Sequence, residues 1–202
     1  MDSFRFTEID KWSLIPGILR DKITGSRYWK EYCFALNTES LIDRAAELEF
    51  VGFSYGGYNR PTPFLCLLAK MIQLEPDIET LTAYLDFSVG NPTNNSDKQK
   101  RDLRYFRALT LSYIRLVGKS HVVYRLLESN TSDYRSLVVL EPSGEFSKIS
   151  VDEYIDLLLH PDNPPVWGFI FPMLTKRATL VSRKDLGEYV SPLGSELGLE
   201  SF

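Results

Sequence analysis

Two histidines, His121 and His160, are the only imidazoles in the 202-residue chain. Neither stands at metal-ligand spacing from the other or from a cysteine, so a zinc reading fails. The two cysteines, Cys33 and Cys66, are far apart and sit among apolar or aromatic neighbours. With no Cys-x-x-Cys pair, thioredoxin chemistry is excluded as well. Buried, reduced thiols that pack as small hydrophobes are expected, in a reducing compartment. Gly118-Lys119-Ser120 resembles the end of a phosphate-binding loop. That loop needs a glycine at position 113, which is Tyr113, and a strand before it. A simple break between two helices is the expectation there. No Gly-x-Ser-x-Gly elbow occurs. The carboxylates show no pair set apart in two environments, as acid–base catalysis requires. No cofactor, no metal and no enzymatic activity are expected.

One cationic cluster remains: Lys98, Lys100, Arg101, Arg104 and Arg107. Lys100, Arg104 and Arg107 share a helix face at i, i+4 and i+7, with Asp97 and Asp102 interleaved. Such a face is either solvated or touches RNA phosphate or an acidic partner. The formal net charge of -4 and a pI near 5.3 argue against gripping nucleic acid as the main task, since phosphate binding favours a basic surface. RNA contact is therefore the alternative and not the first expectation.

The elements that must carry these residues follow from periodicity and caps. Residues 16–24 read as a short helix with Pro16 early and Gly25 just past its end. Residues 28–34 read as one or two aromatic-rich helical turns. Asn37 or Thr38 caps a helix to about residue 48. Residues 52–61 form a glycine-punctuated connection with three aromatics, Phe53, Tyr55 and Tyr58, followed by Arg60. These four are the candidate docking residues, although aromatics in such a loop can equally plug the core beneath it. Thr62 and Pro63 open an almost wholly apolar helix to residue 74, the expected centre of the domain. A further helix spans about 76–86. Residues 87–100 are polar and turn-rich.

The longest helix is expected over 97–117, and a second one over 121–127 beyond Gly118. A helical turn is expected at 132–135. Residues 137–149, β-branched runs flanking Glu141-Pro142-Ser143-Gly144-Glu145, predict a single small β-hairpin. Ser150-x-x-Glu153 is a capping box before an amphipathic helix. Residues 166–174 read as one more apolar helical segment, bent near Pro172. From residue 182 the chain turns polar. The expected architecture is thus all-α: one multi-helix domain over 1–181 with one hairpin, then a polar tail over 182–202. A hydrophobic fraction of 44% and a charged fraction of 25% suit a soluble globular protein. No apolar stretch approaches the ~20 residues of a membrane span.

Several runs carry a resemblance. They are Tyr28-Trp29-Lys30-Glu31, Leu48-Glu49-Phe50-Val51-Gly52, Tyr55-Gly56-Gly57, and Arg60-Pro61-Thr62-Pro63-Phe64-Leu65-Cys66-Leu67 with Lys70-Met71. Further on come Arg115-Leu116 with Gly118, Asp133-Tyr134-Arg135, Gly144-Glu145-Phe146, Val151 through Asp156, Pro172 and Lys176-Arg177. Together they resemble the pre-mRNA-processing factor thirty-eight family over nearly the whole chain. The loop at 91–100 stands as an insertion. The resemblance implies a nuclear, non-enzymatic protein scaffold of the spliceosome, required for its maturation to the active form. It implies as partners a zinc-finger splicing protein, a homologue of microfibrillar-associated protein one, and the tri-snRNP. Grooves between helices would suit helix-in-groove recognition.

Overall fold

The structure, a computed structural model, describes residues 11–89, 102–160, 166–167 and 169–189. A 3-10 turn at Lys11–Leu14 leads into α1, Gly17–Gly25, and a π-helical turn at Trp29–Cys33. Helix α2 spans Thr38–Ala45. Asn37 caps it, its side chain accepting from the Ser40 amide at 2.7 Å while Ser40 accepts from the Asn37 amide. Strands β1, Ser54–Tyr55, and β2, Arg60–Pro61, form a minimal antiparallel hairpin. Then come α3, Pro63–Leu74, and α4, Ile78–Val89. Helix α5, Arg104–Val117, is followed after Gly118 by α6, Ser120–Glu128. Strands β3, Ser136–Leu140, and β4, Phe146–Ser150, pair antiparallel. Helices α7, Val151–Leu159, and α8, Arg177–Ser182, complete the described chain.

The mostly helical class is as expected, with a second hairpin at β1–β2 that periodicity did not signal. Two helices form the centre rather than one. On α3 every residue from Phe64 to Ile72 is buried, as its apolar sequence requires. Helix α5 looks amphipathic in sequence, yet every residue from Phe106 to Val117 is buried. Its polar positions are absorbed by hydrogen bonds. Thr110 and Ser112 donate to carbonyls one turn back, and Ser112 Oγ lies 2.5 Å from the Tyr154 hydroxyl on α7. Arg115 donates to the carbonyls of Leu158 and Pro172, both at 2.7 Å. Its guanidinium thus sits at the carbonyl-rich C-terminus of α7, where a cation is favoured.

Three expectations are corrected. The described residues of 166–174 are not helical: Val166 and Phe169 exchange backbone hydrogen bonds at 2.9 and 3.0 Å across a turn, and no helix follows before α8. Phe169 and Phe171 are buried while Ile170 between them is 68% exposed, a period of two. Trp167 has a φ of 45°, outside the right-handed helical region. A short apolar run cannot separate helix from strand by periodicity alone. The turn at 132–135 is not helical either; Asp133 and Arg135 use their side chains on each other. Helix α5 begins at Arg104, with Asp102 and Leu103 outside it. The stretch 97–101, expected as its first turns, lies outside the described residues.

As far as Tyr189 the polar C-terminal stretch packs on the domain. Arg177 reaches the Gly187 carbonyl at 2.9 Å and lies 5.5 Å from the Tyr189 ring. Residues 190–202 lie outside the described set.

Candidate protein-docking surface

The candidate surface starts at the glycine-rich connection. Val51 donates to the Val138 carbonyl and accepts from the Leu140 amide, both at 2.8 Å, so the connection leaves from the free edge of β3. A Cβ on Gly52 would stand 3.1 Å from the Leu140 carbonyl oxygen, which leaves little room for a side chain. Phe53 then turns inward. It is 1% exposed and packs on Phe169 at 4.7 Å, Phe171 at 5.7 Å and Phe64 at 5.8 Å. Phe53 is a core plug and not a docking residue. Its flanks are polar, but three rings wait for it inside.

Thr62 closes the loop. Its hydroxyl donates to the Gly52 carbonyl at 2.5 Å and accepts from the Leu65 amide, capping α3. Between these anchors the hairpin projects outward. Gly56, with φ of 69°, donates to the Pro142 carbonyl, and Asn59, with φ of 46°, donates back to Gly56. Glycine takes this left-handed backbone at no steric cost. Lys22 on α1 donates to the Tyr58 carbonyl at 2.5 Å. The result is a held, not loose, tip on which Tyr58 is 81% exposed. Arg60 is exposed beside it and Tyr55 is half-buried. Three of the four candidate residues therefore share one outward projection.

The described part of the expected basic face, Arg104 and Arg107, is not a solvated face. Lys100 lies outside the described residues. Arg107 is 3% exposed. Its guanidinium donates to the Leu85 carbonyl, Ser88 Oγ and Asn130 Oδ1, and its Nε lies 2.9 Å from Asp133 Oδ2 without the alignment of a hydrogen bond. Arg104 is half-buried, ion-paired with Asp102, and donates to the Ser136 carbonyl at 2.6 Å. Arg135 grips Asp133 with two nitrogens and donates to the Ser88 carbonyl.

This lattice of three arginines and two aspartates ties the end of α4 to the start of α5 and to the 130–136 turn. Burial pushes the Asp133 carboxyl up, but hydrogen bonds from Arg135 and the two guanidinium charges outweigh it and hold it below the ordinary range. The Arg135 hydrogen bond pulls in the opposite sense on its partner and raises the Arg135 guanidinium. Sequence spacing missed this lattice because an arginine on a helix reads as solvated unless its partners are known. Asp133-Tyr134-Arg135 was the one visible signal.

Reactive groups are quiet. Burial pushes the Cys66 thiol up to about 11 and the Cys33 thiol up to about 12, so both stay protonated and inert at neutral pH. Among the described residues no group of three or more His, Cys, Asp or Glu could hold a metal ion. Among them, too, no helix is long and apolar enough to cross a membrane. Beyond the hairpin, a surface cleft of about 650 Å³ opens beside the arginine lattice and one of about 660 Å³ beside the Arg177–Glu128 pair.

The pattern of the PRP38 family matches residues 6–184. The chain belongs to the PRP38 family. Among its relatives, the Pre-mRNA-splicing factor 38A of Xenopus laevis is 39% identical over 184 residues, covering 91% of this chain and 54% of the relative. The protein of the same name in Homo sapiens is 38% identical over the same shares. The chain thus spans about half the length of the curated relatives it matches. Among solved structures, a chain in the crystal structure of the Snu23-Prp38-MFAP1(217-258) complex of Chaetomium thermophilum superposes with a TM-score of 0.81 at 31% identity, covering 98% of this chain and 100% of that one. The PRP38 match therefore takes in every described helix, and of the described residues 185–189 lie beyond it.

Proposed function

We propose that this PRP38 family domain is a non-enzymatic docking platform of the nuclear spliceosome. It holds a zinc-finger splicing protein of the Snu23 kind and a segment of the MFAP1 kind, and it contributes to maturation of the assembly, with the tri-snRNP, to its active form. One observation carries the reading: nearly the whole chain shares its fold, at 31% identity, with a chain seen in a complex with just such proteins. The surface supports it. Tyr58 and Arg60, residue types enriched among binding hot spots, project from a hairpin whose base is fixed, so little ordering entropy is lost on contact.

The test is assembly from purified components. The domain, mixed with the zinc-finger protein and the MFAP1-type segment of its own organism, is expected to elute as one stoichiometric complex. The double variant Tyr58→Ala, Arg60→Ala should weaken that complex at least tenfold with an unchanged far-UV spectrum. A folded domain that binds neither component overturns the proposal. Maturation itself is read in depleted nuclear extract, where adding the domain back should restore splicing that stalls without it.

A further inference from the structure

Lys70 is the one charged residue within the buried run of α3, and only 8% of it is exposed. Its ammonium donates to the Phe34 carbonyl at 3.1 Å. Among the described residues it enters no ion pair and makes no second hydrogen bond. An ammonium has three donors, and removing it from water is costly unless a counter-charge or acceptors replace the water. Capping the carbonyl at the end of the π-helical turn uses one donor and leaves two.

The same place carries exposed aromatic surface. Phe34 is 78% exposed and Tyr32 is 42% exposed. They flank Cys33, which is fully buried. The charges of Lys70 and Arg44 both bear on the thiol of Cys33, which lies between Tyr32 and Phe34 in sequence. Arg44 is already committed, with Glu47 at 2.5 Å and the Tyr32 ring at 4.6 Å. Glu31 is committed to Arg27 at 2.6 Å. Lys70 is the buried cation left over, while Lys30 on the π-helical turn is exposed to water. One ammonium balances one negative charge, not a run of acids. The chemistry that fits is a single carboxylate with apolar neighbours.

We propose that Lys70, Phe34 and Tyr32 form a receptor for one Asp or Glu side chain presented within an apolar stretch of a partner protein. The carboxylate takes the two spare donors of Lys70, and the flanking apolar side chains cover Phe34 and the Tyr32 edge. This rests on the docking function above and assigns it a second contact, separate from the Tyr58 hairpin.

The experiment measures affinity for the purified zinc-finger protein and for the MFAP1-type segment separately, by calorimetry. The chains compared are the wild type, Phe34→Ala, Lys70→Met and, as a control, Met173→Ala at a 78% exposed site elsewhere. Phe34→Ala and Lys70→Met should each weaken one partner at least tenfold, and Met173→Ala should change nothing. Replacing the responsible partner carboxylate by its amide should cost the wild type a similar factor and cost Lys70→Met nothing. Phe34→Ala alters only a surface ring, so it keeps the test open if Lys70→Met fails to fold. Wild-type binding that persists unchanged in both variants overturns the receptor and leaves the docking function standing. If the wild type binds neither partner, the docking function fails first and the receptor falls with it.

Discussion

A guanidinium as deeply buried as that of Arg107 is tolerable only while its counter-charge is present. Asp133 supplies it and at the same time holds Arg135. Asp133→Asn keeps the shape and removes the charge, so the cost is that of stranding a buried cation, about 3–5 kcal/mol. Urea unfolding followed by circular dichroism should show that loss. Arg104 gives the contrasting expectation. It is a third exposed in its side chain and pairs with the 42% exposed Asp102, so Arg104→Gln should cost only about 1 kcal/mol or less. The pair also fixes a pH dependence. The Asp133 carboxyl lies below its ordinary value in the folded state. Its contribution is therefore complete above the unfolded value, about pH 4, and is lost as pH falls through the folded value. Unfolding titrations from pH 6 to pH 2 should show the wild type losing stability over this window more steeply than Asp133→Asn.

At the scale of elements, the break between α5 and α6 depends on space, not on unusual backbone. Gly118 has an ordinary φ of −78°. A Cβ there would stand 2.6 Å from the Ile114 carbonyl oxygen and 2.9 Å from the Val123 side chain. Gly118→Ala should thus destabilise by about 1–3 kcal/mol through overpacking, read as a lowered urea midpoint with an unchanged slope. Strand β4 makes a different demand. The bond from the Glu141 amide to the Glu145 carbonyl sets the register parity, so the backbone groups of Phe146 and Lys148 point away from β3. An edge with exposed Phe146 invites pairing with another chain, and an exposed lysine blunts it. Lys148→Val should raise aggregation in light scattering during refolding without lowering native stability. Caps were the most legible part of the sequence. Asn37, Thr62 with Pro63, and Glu153 reaching the Ser150 amide all stand where local chemistry put them. Gly118 and the β3–β4 hairpin were legible for the same local reason. What was hidden depends on partners distant in sequence. From sequence Phe53 could be a docking ring or a core plug, and Phe169 and Phe171 packed on it decide for the plug. Arg107 looked solvated until Asp133 met it. Residues 166–174 looked helical because a short apolar run does not reveal the Val166–Phe169 turn or the packing of Phe169 and Phe171 on Phe53. Of the docking candidates, Tyr55, Tyr58 and Arg60 share one projection, and nothing in the spacing could reveal Lys70 beside Phe34.

The whole molecule carries a net charge of -4, and its buried or paired arginines on α5 offer little to a phosphate backbone. RNA affinity of this domain should therefore be no better than non-specific binding, about 10⁻⁴–10⁻⁶ M at physiological salt, and should fade as salt rises. Filter binding with single-stranded RNA at two salt concentrations checks this, and tight, salt-resistant binding would return RNA contact to first place. Protein partners should behave in the opposite way. A ligand that binds only the folded state stabilises it by about 2.7 kcal/mol at a hundred times its dissociation constant. For a domain of this size that is roughly 5–11 °C in melting temperature, at about 2–4 °C per kcal/mol. The MFAP1-type segment, added in that excess, should raise the melting temperature by this amount and continue to raise it slowly with concentration. The Tyr58→Ala, Arg60→Ala domain should start from the same unliganded melting temperature, since both side chains are exposed, and gain less. A shift of equal size in both would place the contact elsewhere on the molecule, whereas a lower starting point would mean that the hairpin tip contributes to the fold.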